Sequence, residues 1–208
     1  EGLVGAKNLG QPALAMTDHG YCVGHMDFYK AAKELGDIKP ILGVEAYIAP
    51  SGPNGESSNR RHRKPIHWRP TRQQDSDEQA EGKDVSGAGK FTHQTLIALA
   101  TVGLRNLWRL TSTASEVDNF YGNPRADHAL LAQYSEGVLA TTGCPSGEVQ
   151  TRLRLGQTEL AEAAVARDLD IFGRDRYFME VMDHGIAVER QTKQGGTLDI
   201  GVSVLPKL

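Results

Sequence analysis

Four residues of the types that hold metal ions stand at points where the chain changes direction: His19, Glu45, His93 and Cys144. His19 follows Asp18 directly after the apolar run Pro12-Ala13-Leu14-Ala15-Met16-Thr17, which reads as a buried strand. In α/β barrels catalytic groups gather where strands end and loops begin, and Gly20 permits a sharp turn there. An imidazole at such a rim serves as a metal ligand or as an acid/base, and Asp18 is the one side chain beside it that could take a catalytic role. A capping aspartate with a solvent-facing histidine explains the same pair.

Glu45 interrupts Ile41-Leu42-Gly43-Val44-Glu45-Ala46-Tyr47-Ile48. A carboxylate buried in such a strand is costly without a partner, which a cation would supply; an edge strand with Glu45 facing water would remove the cost. Cys144 lies between Gly143 and Pro145, just before a helix expected over residues 145–155 with proline in its first turn. A helix N-terminus favours the thiolate, the metal-binding form. The alternatives are an inert turn cysteine or a nucleophile whose base does not identify itself. His93 falls near the start of a helix expected over residues 93–101, with Thr92 as its N-cap; a histidine so placed is otherwise simply exposed.

Two imidazoles, a carboxylate and a thiol suit zinc, or manganese or iron, better than magnesium or calcium. Their irregular spacing does not by itself establish a cluster. No zinc-finger pair, Walker loop or dinucleotide glycine fingerprint competes with them. His62 and His67 belong to a basic stretch. His25 and His128 lie on or near helices and read as structural or exposed. Asp183-His184-Gly185 echoes Asp18-His19-Gly20 after another expected strand.

The elements that must position these groups alternate short apolar runs with amphipathic stretches, the α/β signature. Helices are expected over residues 1–9, 24–35 (ended by Gly36), 104–112 after a break at Gly103, 127–133, 158–172 and 187–201. Strands are expected over residues 12–17, 40–49, 137–142 and 176–182. Residues 51–90 depart from this pattern. Arg60, Arg61, Arg63, Lys64, Arg69 and Arg72 are followed by Asp75, Asp77, Glu78, Glu81 and Asp84, with few apolar residues between. Such a segment buries too little surface to offset its ordering entropy and reads as a mobile surface insertion. Its basic cluster either contacts phosphates or forms a solvated face.

The 208 residues suffice for one domain with a sizeable core. A formal charge of −3 speaks against a free-standing nucleic-acid binder, so a phosphate-bearing substrate would need metal ions or a local basic patch. Two cysteines cannot build a disulfide framework, which makes a reducing cytoplasm the default. No run of apolar residues reaches the length of a membrane span, and a start at Glu1 in helix-like sequence implies that the natural protein begins further upstream.

Together the motifs resemble a specific family. Met16-Thr17-Asp18-His19-Gly20, Phe28-Tyr29-Lys30-Ala31-Ala32, and Lys39-Pro40-Ile41-Leu42-Gly43-Val44-Glu45-Ala46-Tyr47 are similar to the PHP domains of bacterial DNA polymerase III alpha subunits. The similarity continues through Thr92-His93, Gly103-Leu104-Arg105-Asn106-Leu107, Thr142-Gly143-Cys144-Pro145-Ser146-Gly147-Glu148-Val149 and Tyr177-Phe178-Met179-Glu180. Residues 147–157 resemble actinobacterial versions most. The resemblance implies an α/β fold of the distorted (β/α)7 barrel type, incomplete here, spanning residues 1–208 as a partial PHP domain. It implies that His19, Glu45, His93 and Cys144 are metal ligands, and that the metals form a multinuclear cluster only in the intact domain. It further implies metal-dependent 3′–5′ exonuclease or phosphoesterase chemistry, with the polymerising site in other domains. DNA, through its primer 3′ end, and other holoenzyme subunits including the sliding clamp are the implied partners.

The departures matter as well. The family's first motif, a His-x-His followed by an Asp, would precede Glu1, and its final Asp-x-His would follow Leu208. The expectation is therefore a fragment with weak or absent activity of its own. Tyr21 and Cys22 also replace the pair usual after the Asp-His-Gly turn. A second reading is a metal-depleted scaffold that binds a separate proofreading subunit. A third, a free-standing phosphatase of small phosphate esters, fits the polymerase-like motifs less well.

Overall fold

The structure, a computed structural model, describes residues 1–49, 91–116, 120 and 122–181. Its elements in chain order are helix α1 (Gly2–Asn8), strand β1 (Ala13–His19), α2 (His25–Leu35), β2 (Lys39–Ile48), β3 (Thr92–Ala98) and α3 (Thr101–Ala114). There follow β4 (Arg125–Ala126), α4 (His128–Gln133), β5 (Val138–Thr141), α5 (Glu148–Arg154), α6 (Thr158–Phe172) and β6 (Tyr177–Phe178). The expected insertion over residues 51–90, the helix over residues 187–201 and the Asp183-His184-Gly185 echo lie outside the described residues.

The strands form one sheet in the order β1-β2-β3-β5-β6, with β4 pairing β2 off this path. β1 and β2 are parallel, β3 is antiparallel to both β2 and β5, and β5 and β6 are parallel. Among the described residues the sheet does not close on itself. It is the mixed, incomplete barrel that the α/β pattern and the family resemblance anticipate.

The burial pattern of β2 explains the arrangement. Val44, Ala46 and Ile48 are buried, whereas Glu45 and Tyr47 between them are partly exposed. Side chains alternate across a strand, so one face of the sheet carries the apolar core and the other carries polar groups. On the core face Val44, Leu96 and Ala140 pack with Leu107 of α3, Val149 of α5 and Phe172 of α6, each at most 2% exposed. Fully burying each larger side chain contributes roughly 1.5–3 kcal/mol. A second, smaller cluster of Leu3, Ala6, Ala32 and Ile38 seats α1 and α2.

Four expectations need correction. Residues 92–98 are a strand, not a helix: β3 has hydrogen-bonded neighbours on both edges, and two ladders outweigh local helical preference. Gly103 does not break a helix but lies inside α3, where its lack of a side chain permits close contact with the backbone of Gly137. The helix expected over residues 145–155 begins only at Glu148, with Gly147 as its N-cap, so Pro145 is in the preceding turn and Cys144 is not at the helix N-terminus. The strand expected over residues 176–182 reduces to Tyr177–Phe178. The two-residue β4 gave no sequence signal.

Candidate metal centre

Parallel pairing of β1 with β2 sets His19 opposite Glu45, and antiparallel pairing of β2 with β3 sets His93 opposite Tyr47. The three strands thus bring His19, Glu45 and His93 onto the same face, at one end of the sheet. Glu45 sits in the middle. Its Oε1 accepts a hydrogen bond from His93 Nδ1 at 2.8 Å, and its Oε2 lies 3.2 Å from His19 Nε2. The ligand atoms of these three residues can all lie within 4.8 Å of one another.

Cys144 joins this group from the loop after β5. Its Sγ lies 3.6 Å from His93 Nδ1 and accepts from the Ser146 N–H at 3.4 Å. The loop is anchored on β3 by the His93 N–H, which donates to the Ser146 carbonyl at 3.1 Å. Gly143 makes this approach possible. Its φ is +78°, and a Cβ there would stand 2.6 Å from the His93 carbonyl oxygen, so an L side chain would be both strained and obstructed.

The environment is graded. Glu45 and His93 side chains are 15% and 12% exposed, whereas His19 is 59% exposed. The cluster therefore has a sheltered floor and one open side. Aromatic rings frame the floor: Tyr47 meets Phe91 edge-on at 4.8 Å and His93 edge-on at 5.2 Å, and Phe91 stacks on His93 at 5.7 Å.

The electrostatics follow from this packing. The hydrogen bond from His93 pulls Glu45 below the usual carboxylate range, against the opposing effect of partial burial; Cys144 and His19 add to the lowering. For His93, burial favours the neutral ring, but the contacts with Cys144 and Glu45 outweigh it and raise the group to about 9. Without a cation, the protonated imidazole supplies the positive charge that the carboxylate needs.

Of the residues singled out from sequence, His19, Glu45 and His93 converge and Cys144 stands beside them. Asp18 does not join them. The strand pleat turns it away from His19, and its Oδ2 lies beside Gly24, close enough to meet a Cβ there at 2.9 Å. His25 is a buried structural histidine: its Nε2–H donates to the Gly43 carbonyl at 2.8 Å, while its Nδ1 accepts from Trp108 Nε1 at 3.1 Å.

Sequence reasoning missed a second polar cluster on the opposite face of the sheet, formed by His128, Glu148, Arg152, Arg167 and Asp168. A signal was available. In α6 the buried stripe runs Ala161, Ala164, Val165, Asp168, Phe172, so Asp168 occupies a core-facing position of an amphipathic helix.

An open α/β sheet carrying a His–Glu–His group beside a cysteine defines an α/β domain with a candidate metal centre. The chain belongs to the PHP domain family, whose match covers residues 3–184. It is 50% identical over 190 residues to the DNA polymerase III subunit alpha of Saccharopolyspora erythraea, covering 91% of this chain and 15% of that protein. It is 46% identical over 199 residues to the subunit of the same name from Mycobacterium tuberculosis, covering 96% of this chain and 16% of that protein. The identity is 37% over 183 residues with the subunit from Thermus aquaticus, covering 88% of this chain and 13% of that protein. The chain thus spans about 15% of the length of the curated relatives it matches. No helix among the described residues is long and apolar enough to cross a membrane.

Proposed function

We propose that this chain is the PHP portion of a bacterial DNA polymerase III alpha subunit, and that His19, Glu45, His93 and Cys144 hold metal ions for phosphodiester hydrolysis. The observation that carries this reading is the convergence of two imidazoles on one carboxylate from three separate strands. An ion pair on a surface needs no such arrangement, and the donor set fits a cation. Nitrogen, oxygen and sulfur ligands together suit Zn2+, with Mn2+ or Fe2+ as alternatives.

The residues divide the work. Glu45, held ionised between the imidazoles, offers one oxygen toward each. His93 and Cys144 form the sheltered floor, fixed to each other by the β3–loop contact. The exposed His19 marks the side from which a phosphodiester would enter. Ions bound in such sites supply hydroxide near neutral pH and stabilise charge at the phosphorus centre.

In this reading the reaction is 3′–5′ removal of nucleotides at a DNA primer end during replication in the cytoplasm. It is an activity of the whole subunit, of whose curated relatives this chain spans about 15% of the length. The nucleotide-polymerising site and the contacts with the sliding clamp and other holoenzyme subunits belong to other parts of the polymerase. The alternative is a scaffold that retains part of the ligand set and binds a separate proofreading subunit. It draws support from the small number of ligands that converge among the described residues. The test is degradation of a 3′-mismatched primer by the polymerase subunit carrying this sequence, with and without Glu45→Gln. Metal-dependent 3′–5′ cleavage abolished by the substitution supports the hydrolase. A subunit that polymerises normally and never shortens the primer supports the scaffold.

A further inference from the structure

The loop that carries Cys144 is held from behind by a buried side chain. Gln150 lies in the first turn of α5 and is 5% exposed. Side chains of a helix lean toward its N-terminus, so the carboxamide reaches back over the preceding loop. Its Nε2 donates to Thr142 Oγ1 at 2.7 Å and to the Gly143 carbonyl at 3.2 Å. A carbonyl only accepts, which settles which end of the amide faces the loop. Thr142 Oγ1 also accepts from the Glu180 N–H at 3.0 Å.

Gly143 is where such an anchor counts. Glycine has more accessible backbone angles than any other residue, and this one directly precedes Cys144. Unrestrained, it would let the thiol swing away from His93. Both of its peptide units are held instead. Its N–H donates to Thr141 Oγ1 at 3.1 Å, and its carbonyl takes the Gln150 amide. Because a peptide unit is planar, the direction of that carbonyl sets the direction in which the chain enters Cys144. Beyond the thiol, the His93 N–H holds the Ser146 carbonyl at 3.1 Å. Arg154 also donates to the loop, at the Pro145 carbonyl, but from an exposed position where water competes for the same acceptor.

We propose that Gln150 is a positioning residue for the candidate metal centre: by holding the Gly143 carbonyl and the Thr142 hydroxyl, it aims the Cys144 sulfur at the site formed by His19, Glu45 and His93. The inference rests on the metal-binding reading above and adds to it a residue that itself touches no ion. Removing a group that orients a ligand in this way typically lowers metal affinity about 10–100-fold.

The test uses Co2+ as the probe, titrated into the metal-free polymerase subunit carrying this sequence. A thiolate bound to Co2+ gives a charge-transfer absorption that imidazole and carboxylate ligands do not, so the spectrum reports the sulfur separately from the ion. The wild type should show this band, and Cys144→Ser should abolish it. Gln150→Met, which keeps the volume and removes the amide, should weaken the band and lower Co2+ affinity about 10–100-fold. In the Cys144→Ser background the same substitution should have no further effect, because its influence passes through the sulfur. A residue that only stabilised the fold would weaken both backgrounds equally. Thr142→Val keeps the side-chain shape and removes the acceptor; it should act in the same direction, and it decides the matter if Gln150→Met does not fold.

An undiminished sulfur band in the folded variants, or equal losses of affinity in both backgrounds, would overturn the proposal and leave the metal centre standing. Bound Co2+ without a sulfur band in the wild type would remove Cys144 from the ligand set and this role of Gln150 with it. A wild type that binds no Co2+ would overturn the metal-binding reading as well.

Discussion

His93 and Glu45 are 48 residues apart in sequence, yet Nδ1 of one is 2.8 Å from Oε1 of the other. The contact follows from register. Tyr47 pairs with His93 and Glu45 pairs with Thr95, so Glu45 and His93 are diagonal neighbours on the same face of the β2–β3 ladder. A one-residue slip would send one of them to the apolar face, which makes the metal centre a product of the strand pairing rather than of any local motif.

Histidines 19, 25 and 93 should separate by role. His25 satisfies Trp108 and the Gly43 carbonyl in the interior, so His25→Ala should lower stability by about 1–3 kcal/mol for the groups it strands. Its metal content should match that of the wild type. Urea denaturation with elemental analysis checks both; loss of metal from a folded His25→Ala protein would contradict the assignment.

Gly103 should tolerate no side chain. A Cβ there would stand 1.9 Å from the backbone carbonyl oxygen of Gly137, and a backbone atom cannot swing aside as a flexible side chain can. Gly103→Ala is expected to cost at least about 2–3 kcal/mol, read as a lowered urea midpoint. An unchanged midpoint would show that α3 and the β5 approach are not in contact as described.

The buried cluster should show opposing pH dependences. Burial, with the charge of Arg167, lowers His128 from 6.5 to about 4. Burial raises Asp168 from 3.8 to about 6, with Arg167 opposing. Between these limits the unfolded chain holds a proton on His128 that the folded chain lacks, which makes stability rise with pH. Over nearly the same window the folded chain holds a proton on Asp168 that the unfolded chain has released, which makes stability fall with pH. The two largely cancel. Asp168→Asn should therefore reveal stability increasing from about pH 4 to 6.5, and His128→Gln the reverse slope from about pH 3.8 to 6. Thermal melts across that range decide it; equal slopes in the two variants would contradict the account.

Much of this was legible in the residues, and the parts that were not have physical reasons. Strands β1 and β2 declare themselves by β-branched and apolar runs, and the pairing of Asp18-His19 with the end of an apolar strand placed His19 at the rim. Glu45 stood out because a carboxylate in an apolar strand needs a partner. Around His93 the run Leu96-Ile97-Ala98-Leu99-Ala100 supports either period; only the presence of β2 and β5 on its two edges decides for strand. The helix after Cys144 begins four residues later, at Glu148; the proximity of the thiol to His93 comes instead from the Ser146 contact, which no local pattern encodes. The ion pair of Glu148 with Arg167 joins two helices, so no local spacing announces it; of that cluster only the core-facing position of Asp168 in α6 is readable from the sequence.

The central claim is that His19, Glu45, His93 and Cys144 hold metal, and elemental analysis of the purified chain beside Glu45→Gln, His93→Ala and Cys144→Ser tests it most directly. The account predicts stoichiometric zinc, manganese or iron in the wild type, sharply reduced in Glu45→Gln and His93→Ala. A folded wild-type chain that takes up no metal when supplied with these ions, or one whose metal content survives both substitutions, would contradict it.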